Sequence, residues 1–232
     1  MTTNRNWQEY SDNSQYQFPG LEQLDTKLGD LITVGADLEI STLINAYTNG
    51  YFPMEVSIDR KNKTTGWFSP KLRGIIPIDK LHVTKSMRRS YKNFTFEIDN
   101  NFENIMRKCM ETPRKGGWIN ERYIEKYHDL YNAGFAHSVE VYSQNELVGG
   151  LYGVSIGGLF AGESMFSLKS DASKVALMKL IEILKSIGAK LLDTQWLTPH
   201  LKSLGAIEVP REKYGQMLKN AIAEPSTKWT EN

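Results

Sequence analysis

Residues 136–166 read AHSVEVYSQNELVGGLYGVSIGGLFAGESMF, and this stretch decides the fold class. Apolar and small residues dominate Ala136 to Ser143, Leu147 to Val154 and Leu159 to Gly162, which predicts three consecutive strands. The breaks between these segments are short, and Gly157-Gly158 suits a tight turn. Strands that follow one another through such short turns predict an antiparallel meander.

Helices and further strands flank the meander on both sides. Upstream, the sequence pattern predicts strands at Gly74 to Ile78 and Phe94 to Ile98 and helices at Leu38 to Asn49, Thr84 to Tyr91, Phe102 to Met110 and from the cap Asn120 to Gly134. Downstream, it predicts a long helix capped by Asp171 or Ser170 and closed by Gly188, then a short buried strand at Lys190 to Thr194. This order predicts an α+β fold with helices against one mainly antiparallel sheet.

A polar stretch divides the chain into two units. Ser57 to Gly66 is rich in Lys, Asn and Thr, which is typical of a loop at a junction. We place the boundary at Ser69-Pro70, so that a small N-terminal unit covers 1–69 and a larger unit covers 70–232. A length of 232 residues is compatible with one domain or two.

Composition excludes several classes of protein. An apolar fraction of 40%, a charged fraction of 24% and a net charge of +1 are typical of a globular chain and not of a disordered or fibrous one. The single cysteine, Cys109, cannot form an intramolecular disulfide and predicts a reducing compartment. Met1 to Tyr10 lacks the apolar core of a signal peptide, and the uncharged run Leu147 to Gly162 is too short to span a bilayer.

Two carboxylates stand where buried segments end. Glu163 follows the apolar, glycine-rich hairpin, and Asp193 follows two leucines. A buried carboxylate is costly unless it is paired or hydrogen-bonded. Glu163 is therefore either exposed at a strand end or a carboxylate at the lip of a pocket, able to hold an ammonium group. Asp193 is either a helix cap or a site residue. Gln195, two positions after Asp193, shares its face if the strand continues. With an ordinary pKa near 3.9, an aspartate is a weak base for an amine, which favours an orienting role.

Several catalytic motifs are missing from the sequence. The histidines show no paired metal-ligand spacing, no GxSxG elbow is present, and Cys109 has no histidine signature near it. Neither GxxxxGK[ST] nor a strand-linked GxGxxG occurs, which argues against a nucleotide cofactor. Gly116-Gly117-Trp118-Ile119 is open to two interpretations, a turn followed by core or a loop that lays an indole over a ligand.

Basic residues cluster between positions 80 and 92, where no acidic residue occurs. The members are Lys80, Lys85, Arg88, Arg89 and Lys92. Such a cluster is either a solvated helix face or a contact surface for nucleic acid.

A long, ordered set of short segments resembles the bacterial leucyl/phenylalanyl-tRNA–protein transferases. The segment GESMF at 162–166 and the hairpin LVGGLYG at 147–153 carry most of the resemblance, which spans about residues 18 to 215. The other matching segments are Ala46-Tyr47, Gly50 to Pro53, Trp67 to Pro70 with Arg73, Thr84 to Arg89, Gly117 to Ile119, Ala136 to Glu140, Ala172 to Lys174, Asp193 with Gln195, and His200 with Ser203 to Ala206.

The resemblance implies transfer of leucine or phenylalanine, with methionine also conceivable, from tRNA to the N-terminal α-amine of proteins that start with Arg or Lys. The product is an N-terminal degradation signal read by the Clp machinery. The resemblance also implies a small N-terminal α/β domain, a larger GNAT-like domain, no metal or organic cofactor, no membrane partner and a cytoplasmic monomer.

The resemblance assigns roles to particular residues. Asp193 and Gln195 are placed at the reacting centre, and Glu163 is placed to bind the amino group of the aminoacyl ester. The other substrate-binding positions are Trp118 and Tyr127 at the 3′-terminal adenosine, Leu151, Phe160 and Leu192 in an apolar side-chain pocket, Ser164, Met165 and Phe166 beside Glu163, and Met54, where many members carry Trp. The tRNA-contacting helix corresponds to Lys85, Arg88, Arg89 and Lys92.

Two rival functions remain open at this point. An acetyl-CoA-dependent GNAT enzyme needs a pyrophosphate loop of the QxxGxG or RxxGxG type, and Ser167 to Ser170 lacks those glycines. A non-catalytic RNA-binding module accounts for the basic cluster but leaves Glu163, Asp193 and Gln195 without a role.

Overall fold

A computed structural model describes residues 6–25, 27–59, 62–113, 117–225 and 229. Within that part of the chain, helices pack on two β-sheets, one small and one large. The helices are α1 (Trp7–Asp12), α2 (Ile40–Thr48), α3 (Lys85–Tyr91), α4 (Phe102–Glu111), α5 (Glu121–Ala133), α6 (Ala172–Ser186), α7 (Pro199–Ser203) and α8 (Arg211–Ile222). A 3-10 turn covers Leu21–Gln23.

The small sheet belongs to the N-terminal part of the chain. It consists of β1 (Leu31–Val34), β2 (Phe52–Ser57) and β3 (Lys63–Phe68), and β3 lies in the middle with an antiparallel neighbour on each side. The predicted loop from Ser57 to Gly66 is therefore wrong in its second half, since β3 begins at Lys63. Its threonines and Trp67 favour a strand, and neighbours on both sides satisfy its backbone.

The large sheet has the order β10-β4-β9-β8-β7-β6-β5. Its strands are β4 (Leu72–Ile76), β5 (Thr95–Ile98), β6 (Ala136–Ser143), β7 (Glu146–Ile156), β8 (Leu159–Ser167), β9 (Leu191–Gln195) and β10 (Ile207–Pro210). Every neighbouring pair is antiparallel except β8 and β9, which run parallel and are connected through α6. The predicted α+β fold with a mainly antiparallel sheet is confirmed.

The predicted meander is β6, β7 and β8. Gln144 and Asn145 join the first two strands, and their φ values of 54° and 65° are those of a type I′ turn. Gly157, with a φ of 57°, opens the second turn, where backbone atoms of residues 222 and 224 lie 2.9 Å from the position of an added Cβ. Glycine is therefore required there by both conformation and space.

The predicted helices begin and end within two residues of the predicted positions, but the predicted N-cap of α6 makes no capping hydrogen bond. Asn120 caps α5 by accepting from the Tyr123 N–H, and Gly134 follows it in the left-handed region. Asp171 occupies the N-cap position of α6 but makes no capping bond, because its carboxylate accepts from Ser86, Ser90 and Lys174 instead. Asp171 therefore connects the start of α6 to α3 through hydrogen bonds instead of capping α6.

Apolar side chains cover both faces of the large sheet. On one face α3 and α6 enclose a cluster that includes Leu151, Phe160 and Leu192. On the other, α2, α4, α5 and the small sheet share one cluster, in which Tyr47 meets Tyr127. Residues of both sheets thus pack in one core. The division of the chain into the units 1–69 and 70–232 remains a prediction. In the part of the chain described here, no helix is both long and apolar enough to cross a membrane.

Candidate active site

The two parallel strands of the large sheet separate near their carboxyl ends. β8 and β9 pair from Leu159 with Leu191 to Ala161 with Asp193. Beyond that point β8 stays paired with β7, whose register shifts there, and β9 stays paired with β4. Glu163 and Gln195 each lie two residues past the last pair, and the Gln195 Nε2 donates to the Glu163 Oε1 at 2.9 Å. The separation of the strands thus brings these two side chains together.

Glu163 is a buried carboxylate in which one oxygen accepts two hydrogen bonds and the other accepts none from the described residues. Its Oε1 accepts from the Tyr47 hydroxyl at 2.7 Å as well as from Gln195, and the Tyr47 oxygen lies 2.5 Å from the Tyr127 hydroxyl. Its Oε2 is buried and has no hydrogen-bond partner among the described residues. Burial raises the pKa of Glu163 from 4.5 to about 7, against the opposing effect of the two hydrogen bonds. This carboxylate can hold an ammonium group or exchange a proton near neutral pH.

Gln195 adopts a backbone conformation that is rare for its residue type. Its φ of 65° lies in the left-handed region, which costs roughly 1–3 kcal/mol for a residue other than glycine. Its N–H donates to the Asp193 Oδ1 at 2.8 Å. The side-chain amide nitrogen donates to Glu163, so the amide oxygen is not the atom that contacts this carboxylate.

Asp193 lies fully buried below Gln195 and is paired with Arg73. The Arg73 Nε donates to the Asp193 Oδ1 at 2.9 Å and its Nη2 to Oδ2 at 2.5 Å, while the Tyr214 hydroxyl donates to Oδ2 at 2.8 Å. Burial opposes the charge of Arg73, but the Asp193 carboxylate outweighs it and raises the pKa of the guanidinium above its ordinary value. Asp193 therefore sits in a fixed, charge-compensated position.

The contact between Asp193 and Gln195 differs from the one that a shared strand face predicts. A shared strand face would bring the side-chain amide to the Asp193 carboxylate. Instead the backbone N–H contacts Asp193, and the side-chain amide turns to Glu163. The left-handed φ of Gln195 explains the difference, because it ends the regular alternation of the strand.

The predicted aromatic residues lie close to Glu163. Trp118 is buried with its ring edge-on to Tyr123, and its centroid is 6.4 Å from that of Tyr127. Tyr127 is fully buried and reaches Glu163 through the Tyr47 hydroxyl. Of the two interpretations of 116–119, Trp118 fits a core residue, and Gly116 lies outside the described residues. Met54, half-buried in β2, packs against the same cluster.

The predicted apolar pocket positions fall on the opposite face of the sheet. Leu151, Phe160 and Leu192 are 3%, 0% and 1% exposed and pack with residues of α6. Of the three residues that follow Glu163, Met165 packs on that same cluster, Phe166 belongs to the cluster on the Tyr47 face, and Ser164 is buried. Their role in binding an amino-acid side chain stays a prediction.

The predicted tRNA-contacting residues lie on the surface. Lys85, Arg88 and Arg89 of α3 are exposed, as is Lys92 directly after it. Met87 on the opposite side of the helix is buried against the α6 cluster. The helix is therefore anchored by its inner face and presents its cations outward.

Three residues of the site were missed by sequence reasoning. Tyr47 and Arg73 fall in segments that match the family, but nothing local indicates their chemistry. Tyr214 carries no signal at all, since it lies on an ordinary amphipathic helix. Only the fold brings them to Glu163 and Asp193.

Comparison with known proteins gives consistent results. The family model described as leucyl/phenylalanyl-tRNA protein transferase matches residues 75–219, and the model of the N-terminal domain of the same family matches residues 36–71. A leucyl/phenylalanyl-tRNA–protein transferase from Paramagnetospirillum magneticum is 46% identical over 83% of this chain and 92% of its own length. One from Herpetosiphon aurantiacus is 47% identical over 78% of this chain and 92% of its own length.

Solved structures show a more distant likeness. FemX is 10% identical with a TM-score of 0.46 and covers 77% of this chain and 71% of its own. An N-acetyltransferase, PaiA from Thermoplasma acidophilum, is 15% identical with a TM-score of 0.29 and covers 41% of this chain and 75% of its own.

Proposed function

The chain belongs to the leucyl/phenylalanyl-tRNA–protein transferase family, and from this premise we propose that it moves leucine or phenylalanine from aminoacyl-tRNA to the α-amine of proteins that begin with Arg or Lys. Membership makes it an aminoacyltransferase that acts on protein N-termini. The choice of Arg and Lys acceptors, and the degradation signal that results, are the proposed part.

The observation that supports this function best is the buried Glu163 Oε2, which accepts no hydrogen bond from the described residues. A buried carboxylate oxygen without a partner among the described residues is costly, and a cationic amine is a suitable partner for it. We assign that place to the α-ammonium group of the aminoacyl ester. An amino-acid ester held there by its amino group has its carbonyl carbon within the region lined by Glu163 and Gln195.

The reaction converts an activated ester into an amide. The neutral acceptor amine attacks the ester carbonyl carbon, the bond from that carbon to the tRNA oxygen breaks, and the proton lost by the amine finally resides on the released tRNA hydroxyl. Holding the two reactants in contact supplies most of the acceleration, because an ester needs no further activation. The Gln195 amide oxygen accepts a hydrogen bond from the acceptor amine and orients its lone pair toward the carbonyl.

Substrate choice is assigned to apolar residues on the sheet face opposite Tyr47 and to residues that pack on the Tyr47 face. Leu151, Phe160 and Leu192 are proposed to select the amino acid by apolar volume, worth about 1–3 kcal/mol for a difference of one methylene. The half-buried Met54 is proposed to contact the terminal adenosine, and the buried Trp118 and Tyr127 are proposed to support that contact from the core.

The tRNA body is proposed to lie against the exposed cations of α3. Contacts to phosphates from Lys85, Arg88, Arg89 and Lys92 carry no sequence information and weaken as salt rises.

A transfer assay with a panel of acceptors tests the proposal. Radiolabelled leucyl-tRNA is mixed with the purified chain and with peptides that are identical except for an N-terminal Arg, Lys, Asp or Ala. We expect label on the Arg and Lys peptides alone. Label on the Asp peptide would contradict the proposed acceptor rule, and binding of tRNA without transfer to any peptide would favour an RNA-binding module instead.

A further inference from the structure

Four hydrogen bonds converge on the carboxylate of Asp193. Oδ1 accepts from the Arg73 Nε and from the Gln195 N–H, and Oδ2 accepts from the Arg73 Nη2 and the Tyr214 hydroxyl. An ionised carboxylate has about four acceptor positions, so these donors fill them all. Asp193 is also 0% exposed. It therefore has no position left at which to accept a proton from a substrate amine.

Arg73, which supplies two of the four bonds, is fixed on several sides. Its guanidinium carbon lies 4.6 and 4.5 Å from the ring centroids of Phe52 and Tyr214, and its Nη1 donates to the Gly50 carbonyl. The contacts come from the N-terminal unit and from α8. An arginine fork held in this way has one orientation toward a carboxylate, which a lysine could not reproduce.

The same carboxylate holds Gln195 in its left-handed conformation. The bond from the Gln195 N–H to the Asp193 Oδ1 fixes the backbone at the point where the strand alternation ends. From that backbone position the side-chain amide reaches Glu163. A displaced Asp193 would therefore remove a hydrogen bond that holds the backbone of Gln195.

We propose that Arg73 and Tyr214 are positioning residues of the transfer reaction, which act through Asp193 to fix the backbone of Gln195 and direct its amide to Glu163 and to the acceptor amine. The inference rests on the proposed function of Glu163 and Gln195. It gives Asp193 the role of a fixed anchor, and it excludes Asp193 as the base.

Tyr214→Phe removes one donor to Asp193, together with the acceptor of a longer, 3.4 Å bond from the Arg73 Nη2, and it keeps the ring beside Arg73. We expect kcat for leucyl transfer to fall about tenfold, the effect of losing a hydrogen bond to a charged group, while KM for leucyl-tRNA changes less than about twofold. The matched control is Tyr51→Phe, since Tyr51 is also buried but its hydroxyl donates to the Pro19 carbonyl. The control should keep the wild-type kcat.

Hydrogen exchange of the Gln195 amide provides a measurement that needs no substrate. In Tyr214→Phe this amide should exchange at least about tenfold faster than in the wild type, while neighbouring amides of β8 and the melting temperature stay close to wild-type values. Arg73→Lys keeps the charge and loses the fork, and it should lower kcat further, by about a hundredfold.

Two results would overturn the inference. One is a Tyr214→Phe protein with the kcat and the Gln195 exchange of the Tyr51→Phe control, and the other is a loss that appears in KM alone. If the wild type transfers no leucine, the proposed function fails, and the exchange measurement still decides whether Tyr214 and Arg73 hold Gln195. If Arg73→Lys does not fold, Tyr214→Phe alone decides.

Discussion

Glu163→Gln should stabilise the fold above neutral pH and abolish transfer at the same time. The substitution keeps an amide oxygen that can accept from Tyr47 and Gln195, as the Glu163 Oε1 does. The substitution also removes the negative charge of Glu163, which is costly to bury, so the folded chain becomes more stable at a pH where this carboxylate is ionised. The site then loses the carboxylate proposed to hold the ammonium group of the ester, so activity and stability are expected to change in opposite directions.

The magnitude follows from the pKa of Glu163. A pKa raised from 4.5 to about 7 corresponds to about 3 kcal/mol between the two protonation states. Below pH 4.5 the group is protonated in both folded and unfolded chains. Between 4.5 and about 7 the folded chain keeps the proton and the unfolded chain loses it, so the free energy of unfolding falls as pH rises. Above about 7 the full loss is present.

Urea denaturation of both proteins at about pH 5 and about pH 8 measures this loss. The free energy of unfolding of the wild type should fall by about 2–3 kcal/mol more than that of Glu163→Gln over this interval. Glu146→Gln, which removes one exposed glutamate charge, should follow the wild type. If all three proteins show the same pH course, Glu163 is not the buried, proton-retaining group described above, and the reasoning is refuted.

Two further predictions concern the rate of transfer. Tyr47→Phe removes a hydrogen bond that lowers the pKa of Glu163, so the rise of transfer rate with pH should move to higher pH. An unmoved midpoint in the pH–rate profile contradicts this. Arg88→Ala combined with Arg89→Ala should reduce the slope of log affinity for tRNA against log salt by about two, as measured by filter binding. The control Lys213→Ala on α8 should leave the slope unchanged. An unchanged slope in the double variant would show that α3 does not contact the tRNA.

The parts of the fold that could be predicted are those with strong local patterns. The meander and α6 have long apolar runs with clear turn residues, and both were found where expected. The strands β1 and β10 are only four residues long and mostly exposed, so they have no periodic pattern to detect. The position of β3 in the middle of a sheet depends on pairing with strands on both sides, which no local pattern shows.

The candidate site was predictable in its carboxylates and not in the groups that control them. Glu163 and Asp193 were identified because a charged residue at the end of an apolar strand is unusual. Arg73 lies 120 positions from Asp193 and Tyr47 lies 116 positions from Glu163, so both contacts exist only in the folded chain. The left-handed φ of Gln195 occurs together with the contact of its N–H with Asp193, and it leaves no trace in the sequence.

Mass spectrometry of the reaction product tests the central claim most directly. The purified chain is incubated with leucyl-tRNA and a peptide that begins with Arg and contains an internal Lys, and the product is fragmented to locate the added residue. We predict a single leucine on the N-terminal α-amine, formed in equal amount to the free tRNA released, and none with Glu163→Gln. Leucine on the lysine side chain, or release of leucine from tRNA without any modified peptide, would contradict the account.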